Sequence, residues 1–137
     1  MMDYMKFSLS GFEDFLVYAG LSVAFIYGYM IVYLLITPYN ELKLIKDGNV
    51  AAAISLSGSV LGFTLPLASA IIYAVHPWDM MLWALIAAIV QLLVYIAVRY
   101  TLLNVSRRIP EGQIATGIVL GAISLSAGIL NAACMTY

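Results

Sequence analysis

The sequence predicts an all-α, polytopic membrane protein: a single domain over residues 1–137, with four transmembrane helices built as a tandem, parallel repeat of a two-helix unit. Two observations predict it. Hydrophobic residues make up 64% of the chain and charged residues only 9%, whereas a soluble domain carries roughly 25% charged residues to cover its water-facing surface. In addition, the stretch DGNVAAAISLSGSVLGFTLP, Asp47 to Pro66, returns sixty-four positions later in a weaker copy, EGQIATGIVLGAISLSAGIL, Glu111 to Leu130. At that offset Asp47 falls on Glu111, Gly48 on Gly112, Ala51 on Ala115, Ile54 on Ile118 and Leu56 on Leu120. Repeat one spans about 15–75 and repeat two about 80–135.

The first span is expected at 15–36, an uncharged run long enough for the ~20 apolar residues that a bilayer core demands. Residues 1–14, with Asp3, Lys6, Glu13 and Asp14, are set apart as a short mixed segment. A cleaved signal peptide would need a basic leader and a small-residue cleavage site. This leader is acidic on balance, and Tyr27, Tyr29 and Tyr33 crowd the far end, so an uncleaved helix is expected. Thr37-Pro38 then opens PYNELKLIKD, residues 38–47, where Tyr39, Leu42 and Ile45 recur at threefold spacing among charges. That pattern suits a short amphipathic helix lying in the interface. Asp47-Gly48-Asn49 turns the chain back.

The second span, 50–75, contains Pro66, which removes a backbone donor and frees the carbonyl of Gly62. The hydroxyls of Thr64 and Ser69 are the expected compensation. His76 to Asp79 forms a turn, with Trp78 and Trp83 placed like an aromatic belt. The third span is 80–103, holding Gln91 near its middle and Arg99 near its end, where the long side chain reaches back to the headgroups. Asn104 to Gly112 stands where the amphipathic segment stood in the first half, and the fourth span is 113–135.

Orientation follows from Lys and Arg. Lys43 and Lys46 lie in the first connection, Arg107 and Arg108 in the third, and none in the second. The positive-inside rule places the first and third connections in the cytoplasm and both termini in the periplasm.

Small residues recur at spacing four in the second and fourth spans: Gly58 with Gly62, Gly117 with Gly121, and Ser124 with Gly128. Lipid tails remove any hydrophobic drive between helices, so close backbone approach through Gly, Ala and Ser supplies the packing, within one bundle or between copies in a homo-oligomer. The sharper alternative is a polar path along Ser55, Ser59, Thr64, Gln91 and Asn131, since channels line themselves with hydroxyls and carbonyls. No Asp, Glu, Lys or His falls deep in any span, where proton-coupled transporters place one. His76 lies in a turn and Cys134 is the only cysteine, so neither a disulfide nor a thiolate metal cluster is expected. The net charge of −1 offers no basic patch for nucleic acid. Neither a cofactor nor an enzymatic activity is expected.

The run TPYNELKLIKDGNVAAAISLSGSVLGFTLPLASAI, Thr37 to Ile71, and the closing GIVLGAISLSAGILNAACMTY, Gly117 to Tyr137, resemble the YjfL family of bacterial inner-membrane proteins. That family is a domain of unknown function with an internal duplication. The resemblance implies an inner-membrane location and four spans. It also implies a gene neighbourhood near phage-shock-type membrane-remodelling proteins and ligases of the glutathionylspermidine synthetase type. Such a neighbourhood hints at envelope or membrane stress and carries no mechanism. The matched Asn40, Glu41 and Asp47 are then candidates for contact with a cytoplasmic membrane-remodelling partner. Two function classes follow: a non-enzymatic, oligomeric scaffold or partner-binding protein, and an oligomeric ion or small-solute channel lined by the Ser/Gly faces of the second and fourth spans.

Overall fold

The computed structural model describes residues 1–101 and 104–135. Six helices follow in order: α1, Met2–Ile36; α2, Glu41–Lys46; α3, Val50–Tyr73; α4, Pro77–Thr101; α5, Val105–Arg108; α6, Ile114–Cys134. α1, α3, α4 and α6 are each long and apolar enough to cross a membrane, and the protein is an all-α, multi-pass membrane protein. Both halves run long helix, short helix, long helix. Each returns through a glycine in the left-handed region, Gly48 at φ 89° and Gly112 at φ 78°, a conformation that costs a side-chain-bearing residue about 1–2 kcal/mol.

Closest packing joins α3 to α6. Gly58 faces the backbone of Gly121, and Gly117 is so near Ala51 that an added Cβ would sit 2.5 Å from the Ala51 carbonyl oxygen. An added Cβ on Gly121 would lie 2.9 Å from the Ile54 oxygen. Pro66 is buried within an unbroken α3. The Gly62 carbonyl that it releases lies against Gly128, which has no side chain to block the approach. The compensation expected from Thr64 goes elsewhere: its hydroxyl donates to the Val60 carbonyl at 2.8 Å, because a helical hydroxyl reaches the carbonyl four residues back. Ser69 is half-buried.

α1 starts at Met2, not at 15. The four charges before Phe15 end a hydrophobic run, but no proline stops a helix there. Its 35 residues span about 52 Å at about 1.5 Å per residue, well beyond the ~30 Å hydrocarbon core. Residues 2–17 are exposed, and only Tyr29 and Tyr33 are fully buried. α1 therefore leans on α3 and α4 through one stripe of its second half.

The remaining boundaries move by a few residues. α3 ends at Tyr73, so Val75 belongs to the turn. α4 begins at Pro77, which as a first helical residue gives up no needed donor. The Asp79 carboxylate accepts from the Val75 amide at 3.3 Å. The expected end of the third span at Leu103 lies outside the described residues, as do Thr136 and Tyr137. Both charged connections lie at one end of the bundle. There the Asn49 amide donates to the Ile109 carbonyl at 2.9 Å and the Arg99 guanidinium to the Ile36 carbonyl at 2.8 Å.

Gly128→Ala should destabilise the protein by about 1–3 kcal/mol, the usual cost of overpacking. Gly20→Ala, with nothing within 4 Å of the new Cβ, should be neutral or stabilising by up to about 1 kcal/mol through helix propensity. Unfolding of the two variants in detergent, followed by circular dichroism, checks the contrast.

Candidate functional site

A cluster of polar groups lies toward the end that carries the charged connections. Tyr29 and Tyr33, one turn apart on α1, meet Ser59 and Ser55, one turn apart on α3. Their hydroxyl pairs stand at 2.5 Å and 3.1 Å. The Tyr29 ring stacks on Phe63 at 4.6 Å, and the Tyr33 ring tilts against Tyr95 of α4 at 4.9 Å. Each such bond in a bundle contributes about 0.6–1 kcal/mol, so the ladder is what fastens α1 to the rest.

One step beyond the ladder, Thr37 ends α1. Its amide and its hydroxyl both donate to the Tyr33 carbonyl, at 3.1 and 2.6 Å. Pro38 cannot continue the helix. The new helix opens at Asn40, whose side chain accepts from the Lys43 amide at 3.2 Å, the ordinary work of an N-cap. α2 is therefore 41–46, shorter than the expected 38–47, and its inward face changes. Leu42 points outward, Leu44 and Ile45 pack on the core, and Glu41 turns inward.

Glu41 is 1% exposed. Its Oε2 lies 3.4 Å from the Thr37 hydroxyl, and its Oε1 has no hydrogen-bond partner. The Tyr39 and Tyr95 hydroxyls and the Arg99 Nε are likewise buried without one. Tyr39 and Tyr95 sense one another electrostatically, yet neither hydroxyl reaches bonding geometry. Burial pushes the Glu41 carboxyl up to about 8, against a small opposing effect of the Thr37 hydroxyl. Burial, followed by the Glu41 charge, also raises the Tyr39 phenol.

The three expected partner contacts thus separate. Asn40 and Asp47 are exposed, and Asp47 edges an open hollow of ≈ 440 Å³ between the two connections, walled on its far side by Pro110, Glu111 and Gly112. Glu41 is not available to a partner while α2 is docked. Nor do the polar-path residues share a lumen. Ser55 and Ser59 are spent on tyrosines, and the Gln91 amide donates to the Ser124 carbonyl at 2.7 Å. Thr64 bonds within its own helix, and the Asn131 amide nitrogen is buried without a partner. Gly58, Gly62, Gly117, Gly121 and Gly128 face one another or α3 and α6 backbone inside one chain. Cys134 is exposed. The aromatic ladder escaped the sequence reading, although the four-residue spacing of Tyr29–Tyr33 and of Ser55–Ser59 is its visible signal.

Four apolar helices around a small-residue core define a class, the multi-pass membrane proteins. The family model described as Domain of Unknown Function (DUF350) matches residues 7–135. The chain belongs to that family. It is 42% identical over 123 residues to the UPF0719 inner membrane protein YjfL of Escherichia coli (strain K12), covering 90% of this chain and 93% of that protein. The same figures hold for the YjfL protein of Escherichia coli O157:H7. With those relatives and these helices, the chain is a multi-pass inner-membrane protein. No solved structure matches it.

Asn49 caps α3 by accepting from the Ala52 amide at 3.0 Å while its amide group holds the Ile109 carbonyl. Gln113, at the matching place before α6, makes no capping bond. Asn49→Ala should cost about 1–2 kcal/mol and Gln113→Ala less than about 0.5 kcal/mol. Paired unfolding measurements in the same detergent compare them directly.

Proposed function

We propose that the protein is a non-enzymatic inner-membrane scaffold, self-associating through α1 and presenting its charged end to a cytoplasmic partner in envelope or membrane stress. The observation that carries this reading is α1. Its 35 residues outrun the ~30 Å hydrocarbon core, so part of its exposed first half, which carries Phe7, Leu9 and Phe12 uncovered, reaches beyond the lipid, and apolar surface in water marks an association site. In this orientation Lys43, Lys46, Arg107 and Arg108 face the cytoplasm with Asn40 and the Asp47 hollow, and both termini face the periplasm. The proposal also takes the two halves as tandem copies, a view supported by the sixty-four-residue offset and by the paired left-handed glycines.

The channel alternative draws no support from the packing. Its Ser and Gly lining is occupied by contacts between α3 and α6 of one chain and by the tyrosines of α1.

Native mass spectrometry from gentle detergent tests the scaffold. The full chain should appear as a dimer or larger species, and removal of residues 2–14 should return it to monomer. A monomeric full chain would retire self-association. A closed ring of several copies that conducts ions in liposomes would replace the scaffold with the channel.

A further inference from the structure

Glu41 poses a bookkeeping problem in protons. A carboxylate at 1% exposure needs a cation or several donors to replace its water, and among the described residues no cation lies within ion-pair distance of it. Arg99 of α4 gives its guanidinium to the Ile36 carbonyl. Thr37 owns a single hydroxyl proton, and the Tyr33 carbonyl takes it at 2.6 Å. The 3.4 Å approach of that hydroxyl to Glu41 is better served with the proton on the acid and Thr37 Oγ1 as acceptor. The other titratable groups around it are Tyr33 of α1, Tyr39 of the connection, and Tyr95 and Arg99 of α4. α3 contributes none at this end, since its one titratable side chain, Tyr73, ends the helix on the far side.

We infer that Glu41 is a buried proton-binding site and that loss of its proton releases α2 from the bundle. An ionised Glu41 has no ion-pair partner among the described residues, and the cheapest relief is to swing into water. α2 is six residues long and sits between Pro38 and the left-handed Gly48, so it can move without disturbing α3. The sign follows from the acid being raised. The docked state is fully favoured below the ordinary carboxylate range, around 4.5, and that advantage is lost as the pH rises through about 8. Release would bring Glu41 out beside Asn40, and only this consequence for a partner rests on the scaffold reading.

Infrared spectra of the full-length protein in lipid nanodiscs read the proton directly. A protonated-carboxyl C=O band should persist above neutral pH, disappear with a midpoint near 8, and be missing in Glu41→Gln. A spin label at the exposed position 46 (Lys46→Cys with Cys134→Ser) should gain mobility at the same midpoint, and stay immobile throughout in Glu41→Gln. The inference is overturned by the absence of a titrating band near that pH, or by a label that loosens equally in Glu41→Gln. None of these readouts involves a partner or an oligomer, so their failure leaves the scaffold reading standing, and a monomeric protein leaves this one standing.

Discussion

The approach of α3 to α6 is the contact on which the rest of the bundle depends. In lipid, apolar side chains gain little by leaving the solvent, so helices associate when their backbones come close enough for dense packing. Gly58 against Gly121, Gly117 against Ala51 and Gly128 against Gly62 provide that closeness. Pro66 contributes to the same seam. By freeing the Gly62 carbonyl, it leaves an acceptor facing Gly128, where a Cα–H contact of about 0.5–1 kcal/mol is available.

α1 is held differently. It brings no small-residue face to the core, and its hold includes two tyrosine–serine pairs, the stacking of Tyr29 on Phe63, the tilted contact of Tyr33 with Tyr95 and the Arg99 guanidinium on the Ile36 carbonyl. Polar attachment of one helix and steric attachment of the other two give the bundle a firm pair and a looser outrigger. A lateral apolar cleft of ≈ 570 Å³ separates α1 from α4, bordered by Phe25, Gly28, Val32, Leu85 and Leu92.

Glu41 shows how a short polar segment is decided by its neighbours. The threefold spacing of Tyr39, Leu42 and Ile45 describes a helix beginning at Pro38, but Thr37 is already committed to the Tyr33 carbonyl and Asn40 is the stronger cap. Starting the helix two to three residues later rotates the face by most of a turn. Leu42 goes to the outside and a carboxyl to the inside. The absence of charge deep in the spans remains true of the sequence, yet a buried acid arrives from the connection.

Much of this protein was legible before any coordinates. Four apolar runs, the Asp47-Gly48-Asn49 turn, the match of Gly48 with Gly112, and the small-residue periodicity of the second and fourth spans depend on local chemistry and on the thickness of a bilayer. By itself the sequence determined an all-α membrane protein with four crossings, and it marked the helix faces suited to close approach. Only the tertiary structure decided that Gly58 and Gly128 meet glycines of the same chain, that Tyr29 and Tyr33 spend Ser59 and Ser55, and that Glu41 is enclosed while Asn40 and Asp47 are open. The reason is physical. Local pattern fixes which residues share a helix face, but which face meets which is a property of pairs of helices far apart in the chain, settled by backbone distance and by where each buried proton can find an acceptor.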